Sequence, residues 1–310
     1  MRVLIAPESF KGSISARGVA DAIARGLLAG CPAGKTVVPT LLPIADGGEG
    51  TLDALVPPEG RIRVTVTGPD LREIEAEYGH LHDTAVIEMA SAAGLCLLPE
   101  NKRRAGATTT YGVGEMILDA LSRGYKKILL TVGGSGTNDG GAGLFSALGA
   151  RFLRADGSVF VPTGFTLCDV ADIDLSGLSP LLAGATFTIA TDVTNPLCGE
   201  SGATRVYGRQ KGATDAELDE IEGGMEHYAA VLGRAAGKDL LSIPGLGAGG
   251  GTPVPFCAFL GGQIRSGIET VFSALGFRDK AKCADYIVTG EGRLDGQTFS
   301  GKVIGGVQEE

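Results

Sequence analysis

A chain of 310 residues is long enough for one large or two ordinary α/β domains with a sizeable core. Lys and Arg number 27 against 36 Asp and Glu, giving a net charge of -9 and a pI near 5.0, so there is no electrostatic footprint for nucleic acid or an anionic membrane. The opening MRVLIAPESF is too short an apolar run for a signal peptide, no later run reaches membrane-spanning length, and the six cysteines form no CxxC pair; a cytoplasmic protein with reduced thiols and two α/β domains is expected.

Residues 3–6 form a short apolar run stopped by Pro7. Ser15 then caps a predicted helix whose Val19, Ile23 and Leu27 fall on one face and which ends near Gly30. The loop PESFKGS between them places Glu8, Ser9 and Lys11 at the C-terminal end of a strand, where open α/β sheets collect ligands. Lys11 is a candidate anion contact, or a solvated loop lysine. A second apolar run, 36–42, leads into IADGGEG, where Asp46 and Glu49 flank Gly47 and Gly48. Carboxylates on so closely approaching a backbone suit a substrate hydroxyl or a magnesium-bound water; the same residues also make an Asp-Gly turn into a helix at 51–56.

From Arg61 the pattern becomes strict alternation, Ile62, Val64 and Val66 against Arg61, Arg63 and Thr65, followed by a GPD turn and EIEAEYG. This predicts a β-hairpin, a boundary near residue 60 and a mixed sheet beyond it. His80 and His82 share one side of any strand there but lack a third ligand at a motif spacing. Residues 86–90 predict a strand, and 108–110 open a helix with Val113, Ile117 and Leu121 on one face.

KILLTV (127–132) predicts a buried strand and LFSALGA (144–150) a helix, and the turn between them, 133–143, reads GGSGTNDGGAG. Its glycines let backbone N–H groups face a ligand, while Ser135, Thr137 and Asn138 add polar contacts and Asp139 a carboxylate. Gly133, Gly134, Ser135, Thr137, Asn138 and Asp139 thus form a candidate nest for phosphate or a compact polyol acid. A tight turn packing helix on strand is the plainer alternative.

Residues 185–191 predict a strand that ends at Asp192, an acid fixed beside an Asn-Pro turn. GESGATRVYGRQKG (199–212) gathers Arg205, Arg209 and Lys211, a cation cluster suited to nucleotide phosphates. Residues 213–232 predict a surface helix. PGLGAGGG (244–251) holds a formal GxGxxG with no strand before it, so a dinucleotide fingerprint is rejected. A helix is expected over 264–275 and a strand over 286–289, leading into GEGRLDGQTFSGKV with Glu291, Arg293, Asp295 and Lys302. Residues 296–302 match the GxxxxGK of a P-loop, yet Val303 stands where the magnesium-binding Ser or Thr is required. Backbone amides with one lysine still offer an anion seat.

Six blocks in this order, APESFKGSISA (6–16), ADGGEGT (45–51), GGSGTNDGGAG (133–143), DVTNPL (192–197), GATRVYGRQKGA (202–213) and GEGRLDGQT (290–298), resemble the bacterial ATP-dependent glycerate kinases over nearly the whole chain. The resemblance implies two α/β lobes with the active site in the cleft. One would be Rossmann-like, three-layer α/β/α with a parallel sheet, built from 1–60 plus 275–310; the other, 61–274, would be mixed α/β with the β-hairpin. It further implies MgATP as donor, D-glycerate as acceptor, and 2-phosphoglycerate with ADP as products. In that setting Asp192 and Asp295 are assigned to Mg2+ or to orienting the acceptor hydroxyl, and Lys11 and Arg293 to anionic groups. The turn from Gly133 to Asp139 becomes the ligand nest, while Ser9, Asp46, Gly47, Gly48, Glu49, Arg205, Lys211, Glu291 and Lys302 join the substrate or nucleotide contacts. A non-catalytic binder of a small hydroxy acid is the competing class, and the repeated strand-end acids argue against it; a dehydrogenase lacks its fingerprint.

Three departures from the family pattern stand out. Glu8 replaces a more usual aspartate, and GGGTPVPFC (249–257) carries prolines at 253 and 255 that would delay a helix. The third is the stop at Glu310, earlier than such kinases usually end. It predicts a fraying last helix, weakened by Gly305 and Gly306, an unpaired sheet edge, and a weak or inactive kinase.

Overall fold

The computed structural model describes residues 1–10, 13–292 and 303–309. The chain divides into two units, one of Met1–Gly60, Ala190–Asp192 and Arg265–Glu310, the other of Arg61–Ile189 and Val193–Ile264. The first begins with β1 (Arg2–Ile5) and α1 (Ala16–Ala29). The Ser15 hydroxyl accepts from the Gly18 N–H at 3.2 Å, satisfying one of the donors a helix start leaves open. Val3, Ile5, Ala20 and Ala24 form the small core under this helix, with Ile23 and Leu27 packed against it. β2 (Val38–Leu41) and α2 (Thr51–Leu55) complete the segment.

The second unit opens with the hairpin read from the alternation, β3 (Arg61–Thr67) antiparallel to β4 (Glu73–Leu81), and continues with β5 (Thr84–Glu88), α3 (Ala90–Ala93), α4 (Tyr111–Ser122), β6 (Lys127–Thr131) and α5 (Ala142–Ala147). β5 runs antiparallel to β4 and parallel to β6. Val113, Ile117 and Leu121 of α4 are buried as their spacing requires, each such side chain contributing about 1.5–3 kcal/mol. β7 (Arg151–Leu153), β8 (Val159–Phe160) and β9 (Asp172–Asp174) form a small antiparallel sheet of order β8-β7-β9. β10 (Thr186–Ala190), α6 (Ala203–Tyr207), α7 (Asp215–Ala236), α8 (Val254–Phe259) and β11 (Gln263–Arg265) follow, and the large sheet has the order β11-β10-β6-β5-β4-β3.

The chain returns to the first unit with α9 (Gly267–Leu275), α10 (Phe277–Lys282), β12 (Tyr286–Val288) and α11 (Val303–Glu309). β1 is central there, parallel to both β12 and β2. Because all three strands run the same way, the loops that follow them leave from one end. The Glu8 N–H donates to the Gly290 carbonyl at 2.8 Å and the Ile44 N–H to the Pro7 carbonyl at 3.0 Å.

The helix expected over 213–232 runs from Asp215 to Ala236 as an amphipathic surface helix: Leu218, Ile221, Met225, Tyr228 and Leu232, spaced three and four apart, are buried on one face, while Asp219, Glu220, Glu226 and Arg234 are exposed. Several expectations need correcting. Ile264 belongs to β11, and the helix behind it starts only at Gly267, because Ser266 caps it. Pro253 and Pro255 do not delay their helix but sit at its cap and in its first turn, where a missing N–H costs nothing. His82 lies in the turn after β4 with φ 54, while His80 stacks on Tyr125 at 5.2 Å, so the two histidines do not face one another along a strand. All six cysteines are free, and among the described residues no helix is long and apolar enough to cross a membrane.

Candidate functional site

In the second unit the glycine-rich turn between β6 and α5 is nearly closed on itself. Asp139 is fully buried, and its Oδ2 accepts from the Thr110 N–H and hydroxyl, both at 2.8 Å, and from the Gly143 N–H at 3.2 Å; Oδ1 accepts from the Gly141 N–H at 3.1 Å. Its carboxylate is therefore committed to the turn. Burial pushes its pKa up and the donors around it pull the other way. Two more amides are taken by other loops: the Gly136 N–H donates to the Ala93 carbonyl at 2.8 Å and the Gly140 N–H to the Gly250 carbonyl at 3.0 Å. The sequence-read cradle of eleven residues shrinks to its upstream edge, where Gly134 is exposed, Gly133 half-buried and Ser135 8% exposed.

The 244–251 glycine run, rejected as a dinucleotide fingerprint, proves to be the surface this turn packs on. Gly250 has φ 72, and a Cβ there would stand 2.1 Å from the Thr137 carbonyl oxygen; a Cβ on Gly251 would stand 2.8 Å from the Gly140 Cα. Only glycine permits so close an approach of two backbones. Asn138 is buried as well, its side-chain amide donating to the Thr204 hydroxyl at 2.9 Å.

The predicted cation cluster is dispersed. Arg205 pairs with Asp219 at 2.6 Å and Arg209 with Asp215 at 2.8 Å, both salt bridges joining α6 and its following turn to the start of α7. Lys211 alone reaches the glycine-rich turn. It is 2% exposed, and its ammonium donates to the Ser135 hydroxyl oxygen and to the Thr137 carbonyl, each at 2.8 Å. Burial drives its pKa down to about 7, partly offset by the negative charge of Asp139.

In the first unit the acids gather at the start of α9. Asp192 Oδ1 accepts from the Ser266 hydroxyl at 2.8 Å and the Gly267 N–H at 3.0 Å, and Oδ2 from the Ile268 N–H at 3.2 Å. These donors fix the carboxylate and place it at the positive end of a helix. Burial nevertheless raises its pKa, and the nearby charge of Asp46 adds to the rise. Asp46 Oδ1 accepts from the Gly48 N–H at 3.0 Å, which makes the expected Asp-Gly turn. Gly47, at φ 81, lies against α9, where a Cβ would meet the Gly267 Cα at 2.7 Å. The exposed Glu49 stands apart from this packing.

Glu8 is 6% exposed at the end of β1, with Ser9 half-buried beside it. Glu291 is half-buried in the loop after β12. Lys11, Arg293, Asp295 and Lys302 lie outside the described residues. Sequence reasoning missed Ser266, Thr110, Thr204 and Gly250. Ser266 had a signal, since Ser-Gly-Ile-Glu at 266–269 is a capping-box pattern, and its hydroxyl accepts from the Glu269 N–H at 3.3 Å. The others act across long stretches of chain and left none.

The pattern of the glycerate kinase family matches residues 3–310. A glycerate 2-kinase of Escherichia coli is 44% identical over 99% of this chain and 81% of its own length, and a glycerate kinase of Bacillus cereus is 46% identical over 100% of this chain and 81% of its own. A crystal structure from Salmonella typhimurium LT2, assigned as a glycerate kinase 2, superposes with a TM-score of 0.85 at 42% identity, covering 96% of this chain and 80% of that one. The matches run through both units and through every motif block described above, and the chain belongs to the glycerate kinase family.

Proposed function

We propose that this chain is an ATP-dependent glycerate 2-kinase, active in the cytoplasm, that transfers the γ-phosphoryl group of ATP to the 2-hydroxyl of D-glycerate and yields 2-phosphoglycerate and ADP. The observation that carries the reading is the likeness to the Escherichia coli glycerate 2-kinase over almost the full chain. Phosphoryl transfer asks a protein for alignment and charge neutralisation rather than covalent chemistry. Asp192 suits that task. Three donors hold its carboxylate in one orientation, and burial raises its affinity for a proton. As the acceptor oxygen bonds to the γ-phosphorus and the bond to the ADP oxygen breaks, the hydroxyl proton passes to such a base.

Asp192 and Asp46 together fit a magnesium ion. Asp46 lies near enough to Asp192 for its charge to be felt there, and Mg2+ takes one or two carboxylates together with substrate phosphates rather than a full protein cage. Among the described residues no group of three or more His, Cys, Asp or Glu side chains is placed to hold a metal. When bound, the ion offsets charge on the transferred phosphate. On sequence grounds Asp295 joins Asp192 in this role, with Lys11, Arg293 and Lys302 as anion contacts.

A coupled assay of ADP release tests the proposal. Turnover is expected only when ATP, D-glycerate and Mg2+ are all present. Glycerate binding without any turnover would favour the hydroxy-acid binding protein instead.

A further inference from the structure

Lys211 is poorly explained as an ordinary ligand contact, because its ammonium is buried under the turn rather than open to solvent. It does have a defined partner in Ser135, at the upstream edge where the turn reaches solvent. A protonated amine has hydrogens and no lone pair, so in the Lys211–Ser135 hydrogen bond the serine oxygen must be the acceptor. The hydroxyl hydrogen of Ser135 then has to serve another acceptor. In the same turn the fully buried Thr137 hydroxyl and Asn138 side-chain oxygen have no partner among the described residues, so the turn holds more polar capacity than the protein itself uses.

We propose that Lys211 is a positioning residue that acts through Ser135, keeping the serine O–H turned outward as a donor to an anionic oxygen of the substrates, either a glycerate carboxylate or a nucleotide phosphate. For the identity of the ligand this rests on the kinase reading above. When Lys211 loses its proton, the hydrogen bond can reverse: the amine nitrogen accepts from Ser135, and the serine then presents lone pairs to the anion. Loss of the proton within the working pH range is supported by the burial of the amine, which brings its pKa to about 7. Among the described residues the charged and titratable groups around Lys211 are few. Asp139 lies across the same turn and favours the protonated amine. Tyr228, whose hydroxyl donates to the Gly140 carbonyl, is held neutral by burial. Arg103 lies beside the backbone of Gly212. Arg209, two residues before Lys211, is engaged by Asp215.

The test is calorimetric binding to the full chain between about pH 6 and pH 8.5, with D-glycerate alone in one arm and a non-hydrolysable ATP analogue with Mg2+ in the other. The glycerate carboxylate stays ionised across this range, and a terminal phosphate only gains charge as pH rises, so weakening at high pH has to come from the protein. The ligand that sits on Ser135 should lose about tenfold in affinity from low to high pH, the size of one charge-assisted hydrogen bond. Ser135→Ala should bind it about tenfold more weakly at low pH and show a flat profile, as should Lys211→Met. The arm that carries the slope identifies the anion. A flat wild-type profile in both arms, or a slope that survives in Ser135→Ala, overturns the proposal. Turnover with flat binding would sink this inference and leave the kinase reading standing, whereas a slope without turnover would do the reverse.

Discussion

Replacing Asp139 by Asn leaves the volume of the side chain unchanged and tests whether the carboxylate holds the turn or waits for a ligand. Its two oxygens accept four hydrogen bonds, three on Oδ2 and one on Oδ1. An amide keeps one oxygen, and its best placement preserves the three bonds from Thr110 and Gly143 while setting an NH2 group against the Gly141 N–H. One charge-assisted bond is lost, worth about 1.5–3 kcal/mol. The negative charge that favours protonated Lys211 goes too, and with the Gly141 N–H left buried against a second donor the cost is about 3–5 kcal/mol in all. At roughly 2–4 °C per kcal/mol for a unit of this size, the melting temperature should fall by about 6–20 °C. Combining Asp139→Asn with Lys211→Met should cost at least about 1 kcal/mol less than the sum of the two, because the double variant leaves no lone buried charge. Thermal unfolding followed by circular dichroism reads both quantities. A variant within about 2 °C of wild type would refute this reasoning and return Asp139 to the ligand contacts.

Three further outcomes follow from the same geometry. Lys211 has a folded-state pKa of about 7 against about 10.4 unfolded, so the unfolded chain binds more protons between those values, and stability rises with pH there and is lost as pH falls through 7. Lys211→Met should remove up to about 1.4 kcal/mol per pH unit of that slope between about pH 7 and 9; equal slopes in urea titrations of the two proteins would contradict the shift. Asp192→Asn should lower kcat about a hundredfold or more while costing about 1–2 kcal/mol of stability, since an amide can still accept from some of the α9 donors; a variant with wild-type kcat would remove Asp192 from the chemistry. Gly250→Ala puts a methyl group against the Thr137 carbonyl at a positive φ, so it should destabilise by about 3 kcal/mol or more and weaken ligand binding by displacing the turn. Unchanged unfolding would show that the two backbones separate easily.

Periodicity made much of the fold legible. The alternation from Arg61 located the hairpin, the apolar spacing of α4 gave its buried face, and Ser15 marked the start of α1. In α7 the spacing of Leu218, Ile221, Met225, Tyr228 and Leu232 gives one buried face, and the acids Asp219, Glu220 and Glu226 stand exposed on the other. Candidate residues were easier to name than to assign. The glycine-rich turn was recognisable, but spacing cannot tell whether an N–H faces a ligand or the carboxylate of Asp139 in the same turn. The tie between Lys211 and Ser135 spans 76 residues and involves two polar side chains with no periodic signature, and the packing of Gly250 on Thr137 is a backbone contact that no side-chain pattern records. Arg205 and Arg209 misled for a related reason, because their acidic partners lie on the next helix and neutralise a cluster that looks bare in the sequence.

The central claim is that this member of the glycerate kinase family phosphorylates the 2-hydroxyl of glycerate at the expense of ATP. Phosphorus NMR of a reaction containing the chain, ATP, Mg2+ and D-glycerate tests it most directly. The account predicts loss of the ATP γ resonance with stoichiometric appearance of ADP and 2-phosphoglycerate, and no change when glycerate or Mg2+ is withheld. Accumulation of 3-phosphoglycerate in place of the 2-isomer, or an ATP spectrum unchanged by glycerate, would contradict it.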